Sequence, residues 1–466
     1  MMPRILPLAL AAILLTGCSS LLAPDYQRPT APVPAALPDY GHQTDAQRLA
    51  LDWRTFIHDA RLRQVVETAL ANNRDLRIAA LNIDKARAQY GITRADLLPS
   101  INATAAGTHA QTAQDLTSGG TPRVTHSYSA GVGFSSWEID LFGKLQNQKD
   151  AAWETFLQSA ETRNATQISL VAEVVNAWLT LAADQEQLKL AEDTLGSQQT
   201  SYALIARRFQ FGIGSQLDVS QAQTTVDSAR VDAASYRSQV AQDQNALTLL
   251  VGAPLADNLL PQSGLFDGPA VLSELPSGLS SDVLLARPDL RADEHALKAA
   301  NADIGAARAA FFPSITLTAN AGSASNDMGR LFKGGNGTWS FVPQISLPIF
   351  NGGALMASLD AAKVTRDINV AQYQKDIQTA FREAADAMAV RANMGEQLSA
   401  QQRLTDANAN SYKLSNARYQ AGIDGYLSLL DSQRSLYAAQ QKLITLKLSQ
   451  ESNRVTLFKV LGGGGS

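Results

Sequence analysis

The chain has 466 residues, 45% hydrophobic and 18% charged, with a formal net charge of −4. It can therefore bury large cores, and it offers no excess of cations for binding nucleic acid. Its single cysteine, Cys18, excludes a disulfide framework, and the five histidines (His42, His58, His109, His126 and His295) lie singly, without metal-ligand spacing or a nucleophile-elbow signature.

The N-terminus reads MMPRILPLALAAILLTGCSS: one charge at Arg4, an apolar run over 5–15, then Leu15-Thr16-Gly17-Cys18. An ordinary signal peptide or a membrane anchor is the plain alternative, but the run is too short to span a bilayer. Small residues before a lone cysteine predict a lipoprotein signal over 1–17, with Cys18 becoming the N-acylated, S-diacylglycerol-bearing first residue. Each buried methylene of such a lipid adds about 0.8 kcal/mol of membrane affinity. Ser19, not Asp, follows it, and by similarity to bacterial lipoproteins that favours the outer membrane. Residues 18–58 are proline-rich at first and predict an extended tether.

The rest of the chain is a tandem repeat. Aligning Pro99 with Pro313 also pairs Gly91 with Gly305, Arg94 with Arg308 and Ser100 with Ser314. A slightly shorter offset pairs RFQFGIG at Arg208 with RYQAGID at Arg418. The unit is about 210 residues long, giving a first repeat over 59–265, a second over 266–461 and a Gly-rich tail at 462–466.

Each repeat has the same internal order. A helix of about thirty residues, from near 60 or 281, ends at a Pro-Ser step. Two strands follow, about 100–111 and 126–139 in the first repeat, 314–325 and 338–349 in the second. Long helical hairpins complete the repeats over 144–251 and 354–461, turning at FGIGS and AGIDG.

A helix approaching seventy residues runs roughly 100 Å and survives only with neighbours supercoiled around it. On the last helix a 3-4 spacing through Leu427, Leu430, Arg434, Tyr437, Gln441, Ile444, Leu448, Glu451, Val455 and Phe458 is part apolar and part polar. It suits either a solvated coiled coil or a curved wall with one face on water.

The strands choose between these. Ala103 and Ala105, then Tyr128, Ala130, Val132 and Phe134, alternate with Asn102, Thr104, Ser127 and Ser129. Ile315, Leu317 and Ala319 alternate with Thr316, Thr318 and Asn320, and the strand ends carry aromatic residues such as Trp137 and Trp339. A soluble sheet packed on the helices would show the same alternation. The uncharged polar face, the length of about ten residues and the aromatic ends fit transmembrane β-strands. Four strands cannot close a barrel, and open edges in lipid leave unpaired peptide groups. Two copies would supply eight strands with a filled interior; three would supply twelve with room for a passage. The small, polar inner face fits three.

These segments resemble the TolC-like outer-membrane factors, in particular the lipoprotein, OprM-type branch serving tripartite multidrug pumps. The resemblance covers nearly the whole mature chain and rests on LTGCSSLLAPDYQRP, NNRDLR, SSWEIDLFGKL, ARPDLRADEHALKAANADIGAARAAFFPSITLTANAG, LPIFNGGAL and LSLLDSQRSL. It implies a homotrimer with a 12-stranded outer-membrane barrel continued by a helical periplasmic tunnel. It further implies a periplasmic adaptor protein and an inner-membrane transporter of the resistance-nodulation-division type as partners. Energy comes from the transporter, in keeping with the absence of a Walker-type loop.

The resemblance also implies site residues. Leu427 and Asp431, one turn apart, become rings of leucine and carboxylate that form a periplasmic gate, with Arg418 and Tyr419 holding the tips shut. Gly212, Ile213 and Gly214, with Gly422 and Ile423, become the hairpin tips on which adaptors dock. The plain alternatives are an Asp431–Arg434 surface pair, a helix-dipole role for Arg418 and glycines needed only for a tight turn. Ser215 and Asp218 read as a capping box. The function implied is an exit duct for drugs and other small toxic compounds, neither enzyme nor scaffold. Export of metal ions or secretion of proteins is the alternative, although Met328, Met356, Met388 and Met394 form no metal-handling stripe.

Overall fold

The computed structural model describes residues 22–38, 52–116, 123–275 and 279–463. The lipidation site expected at Cys18 and the expected signal segment lie outside them. In chain order the elements are α1 (Ala60–Asn72), α2 (Arg74–Ala95), β1 (Asn102–Gln111), β2 (Val124–Ile139), α3 (Lys144–Gln210), α4 (Gln216–Val251), α5 (Pro288–Ala309), β3 (Ser314–Ser325), β4 (Gly337–Ser346), α6 (Ala354–Gln420) and α7 (Tyr426–Val460), with short 3-10 turns between. The single thirty-residue helix expected in each repeat is broken in both. Asn73 is extended at ψ 133° and caps α2, its Oδ1 accepting from the Leu76 N–H while its Nδ2 donates to the Leu250 carbonyl. In the second repeat a 3-10 turn over Ser281–Ala286 precedes α5, because the residue before Pro288 is pushed out of the helical region and Arg287 sits at ψ 134°.

The chain folds as two compact units that do not follow the repeat, since each draws segments from both halves. The first contains Asn82–Ala160, Ala292–Tyr373 and the described part of Met1–Thr30. Its centre is one antiparallel sheet in the order β1-β2-β3-β4. The strands begin at the Pro-Ser steps: Pro313 immediately precedes β3, and Pro99 lies between α2 and β1. Phe134 and Trp137 both belong to the apolar and aromatic set of β2, yet three positions apart they should face opposite ways. A bulge between them restores a common face: they oppose Ala319 and Leu317, and their rings meet at 6.0 Å. Ser136 supplies the bulge in the left-handed region, at φ 54°, its N–H donating to Thr318 Oγ1 at 3.0 Å. Tight crossing of β2 and β3 depends on glycine, because a Cβ on Gly322 would strike the Ala130 carbonyl and approach Gly131 Cα at 2.5 Å. Strands β1 and β4 are exposed along their lengths and each keeps one unpaired edge.

The extended segment after residue 22 is strapped to α5 rather than loose. Arg308 donates to the Leu22 carbonyl at 2.9 Å, Asn301 to Pro24, and Arg28 pairs with Glu294 at 2.6 Å. Ordered packing begins before residue 58, with a helical turn at Trp53–Phe56 that buries Trp53 and Phe56.

The second unit contains Glu161–Arg291, Gln374–Ser466 and Ala31–Leu81, as far as these are described. Its core includes Trp178, fully buried with Nε1 donating to the Leu259 carbonyl at 3.0 Å, together with Leu62, Val65, Leu179 and Phe458. The buried line on α7 runs through Tyr426, Leu429, Leu430 and Gln433 near its start and Glu451, Val455 and Phe458 near its end. Leu427 and Arg434, placed on the seam by spacing, lie outside it and are exposed. A straight helix drifts about 20° per heptad against a strict seven-residue repeat, so one stripe cannot stay buried throughout. Glycine ends α7 as well: Gly462 at φ 96° and Gly463 donate to the Lys459 and Phe458 carbonyls, so the start of the Gly-rich tail is a helix cap.

Candidate functional site

The two helix hairpins, α3–α4 and α6–α7, end in turns of the same construction. After α3, Gly212 adopts φ 74° and its N–H donates to the Phe209 carbonyl, while the Ile213 N–H donates to Arg208 at 3.0 Å. After α6, Gly422 adopts φ 74° and donates to Tyr419, and Ile423 donates to Arg418 at 3.0 Å. This double bond pattern closes the last carbonyls of a helix and requires the left-handed conformation that glycine adopts without penalty. Ser215 and Asp218 form the capping box that starts α4, each side chain accepting from the other's N–H. With their backbones closed by the turn, the side chains of Ile213 and Ile423 are left exposed at 71% and 63%.

The tips are held side by side by one apolar cluster. Ile205 and Ala222 from the first hairpin pack with Tyr419, Tyr426, Leu429 and Leu430 from the second, flanked by Tyr202, Val219 and Tyr412. Tyr419 lies with its ring centroid 5.8 Å from that of Tyr426, and the Arg208 guanidinium sits over it at 5.2 Å. Such a cation over a ring contributes about 0.5–1 kcal/mol at an open site. Tyr419 is therefore a packing residue within its own chain, joining two tips rather than facing away from them.

Arg418 makes a two-point ion pair with Asp424 of its own turn, Nε to Oδ2 at 2.6 Å and Nη2 to Oδ1 at 2.9 Å. Those hydrogen bonds hold the Asp424 carboxyl below the usual carboxylate range and the guanidinium above its own. Sequence reading missed Asp424. The signal was present, because the first repeat has Gly214 at the matching position, so the carboxylate is what the second tip adds.

Leu427 and Asp431 share one exposed face of α7, one turn apart and turned from the cluster. The surface pair weighed for Asp431 is not formed: among the described residues it ion-pairs neither with Arg434 nor with Arg418. An apolar side chain and an unpaired carboxylate thus stand on a face that this chain leaves open.

Farther along the first hairpin, burial and then the neighbouring Asp243 carboxyl on α4 push Asp184 on α3 up to about 7. Asp243 Oδ2 is buried with no other donor, and a protonated Asp184 supplies one. Among the described residues no group of three His, Cys, Asp or Glu side chains converges as a metal site.

Comparison with known proteins sets these features in context. The outer membrane efflux protein family profile matches residues 65–253 and again 279–463, once in each repeat. Two Pseudomonas putida proteins, the antibiotic efflux pump outer membrane protein ArpC and the toluene efflux pump outer membrane protein TtgC, are each 51% identical, the match spanning 100% of this chain and 96% of theirs. The cation efflux system protein CusC of Escherichia coli is 40% identical over 99% of both chains. A crystal structure of CusC superposes with a TM-score of 0.85, covering 95% of this chain and 99% of that one, at 39% identity.

Proposed function

The chain belongs to the outer membrane efflux protein family, a family of channels and not enzymes, and serves in the outer membrane as the exit duct of a tripartite efflux pump; on that premise we propose how it is assembled, gated and used. Three copies close one twelve-stranded barrel, and an adaptor and a transporter of the resistance-nodulation-division type complete the pump from the inner membrane. Cys18 carries the lipid that anchors each copy. The cargo is antibiotics, organic solvents and similar small apolar compounds.

The observation that carries this reading is the sheet with two open edges. Strands β1 and β4 leave peptide groups unpaired at both sides of a sheet whose apolar face suits lipid. Each unsatisfied group in hydrocarbon costs several kcal/mol, so β4 of one copy must meet β1 of the next.

At the periplasmic end, Leu427 and Asp431 supply rings of three. Leucines narrow and dewet the passage, and carboxylates set a negative field. Arg418 and Tyr419 brace this gate from behind, Arg418 by fixing its turn to Asp424 and Tyr419 by locking the two tips together. The exposed turns at Gly212-Ile213-Gly214 and Gly422-Ile423 receive the adaptor.

Deleting the gene and measuring susceptibility to antibiotics, toluene and metal salts tests the cargo. The expected result is increased sensitivity to antibiotics and solvent. Sensitivity to copper or silver salts alone would replace this cargo with the metal-ion reading that the likeness to CusC also supports.

A further inference from the structure

The pairing of β1 with β2 brings together two histidines that the sequence separates. His109 opposes His126 in register, their Nδ1 atoms are 2.6 Å apart, and their ring centroids are 4.8 Å apart and edge-to-face. Both are exposed and lie at the far end of the strand pair, away from the Pro99 step. Two strand positions along, Tyr128 brings its hydroxyl to 3.4 Å from His109 Nε2.

We propose that His109 and His126 form a two-imidazole binding site for a divalent transition-metal ion, copper(II) above zinc, at the outer end of the β1–β2 hairpin. Two imidazolium cations would turn their nitrogens apart, whereas here the two Nδ1 atoms lie within hydrogen-bonding reach, so one proton lies between them and a metal ion takes its place on binding. Copper(II) in a square arrangement, with bonds of about 2.0–2.1 Å, sets neighbouring nitrogens about 2.9 Å apart, so the pair parts by only a few tenths of an ångström. The Tyr128 hydroxyl meets the other nitrogen of the His109 ring, Nε2, as an outer-shell partner that orients the ring. Antiparallel pairing fixes both backbones, so only the two side chains remain to be ordered on binding, and water completes the open coordination positions. Borderline nitrogen ligands rank copper(II) above zinc.

Copper(II) chloride, added to the purified full-length assembly carrying a non-histidine affinity tag, tests this by equilibrium dialysis and electron paramagnetic resonance. One copper per chain with two coupled nitrogens is expected. Loss of that signal is expected in His109→Ala and also in His126→Gln, although glutamine can still hydrogen-bond to His109. Tyr128→Phe should weaken binding about tenfold, the scale set by outer-shell partners. All variants should keep the wild-type assembly on size exclusion. A pair that only shares a proton would take up no copper. No uptake by wild type, or equal uptake by His126→Gln, overturns the proposal.

Discussion

Single side chains at the hairpin tip show how charge and turn geometry combine. Because Arg418 depresses the Asp424 carboxyl, the pair stabilises its turn at pH values above the unfolded pKa of about 4 and loses that effect as pH falls through the depressed value. Protection of the Gly422 and Ile423 amides, measured against the unfolded exchange rate at the same pH, should fall below about pH 4 in wild type. In Asp424→Asn it should be low already at pH 7. Asp184 has the opposite sign. Its folded-state value is raised, so the native state holds a proton that the unfolded chain has released, and stability falls as pH rises from about 4 to about 7. Asp184→Asn should raise the unfolding midpoint at pH 8 by a few degrees and flatten its pH dependence. Residue types at the tip were legible in the sequence, but partners were not. The spacing put Leu427 and Asp431 one turn apart, and setting the two tips side by side singles out Asp424, whereas Arg208 over Tyr419 and His109 beside His126 come from chain reversals that no local pattern encodes.

Elements were legible where physical periods are simple. The two-residue alternation located β1 to β4 within a few residues, and uninterrupted helical composition located α3 and α6 to within one residue at their ends. Sequence reading failed where a side chain overrides the period. Asn73 breaks a helix by capping the next, and Ser136 turns Trp137 onto the face of Phe134. The glycines had two readings, and the structure separates them. A methyl group added to Gly422 would meet nothing within 4 Å, but its φ is 74°, so Gly422→Ala costs only backbone strain, about 1 kcal/mol. Its effect should appear as faster exchange at the tip and weaker adaptor capture, with the core unchanged. Gly322 is the reverse, a matter of space between β2 and β3. Gly322→Val should prevent barrel assembly, seen as a shift from oligomer to single chain on size exclusion in detergent while helical circular dichroism persists.

At the scale of the whole molecule, duplication and assembly become one question. Each repeat contributes one β-hairpin and one long helical hairpin, yet the compact units mix segments from both repeats, so neither repeat is a separate folding unit. The unpaired edges of β1 and β4 make the isolated chain incomplete in lipid. We propose that copies of this chain form one conducting barrel whose passage is closed at the α6–α7 tips. Single-channel recording of the purified assembly in a planar lipid bilayer tests it most directly. Wild type should show small, cation-preferring openings, and the combined Arg418→Ala, Asp431→Ala variant a several-fold larger conductance. A silent bilayer for both proteins, each shown to be assembled and inserted, would contradict it.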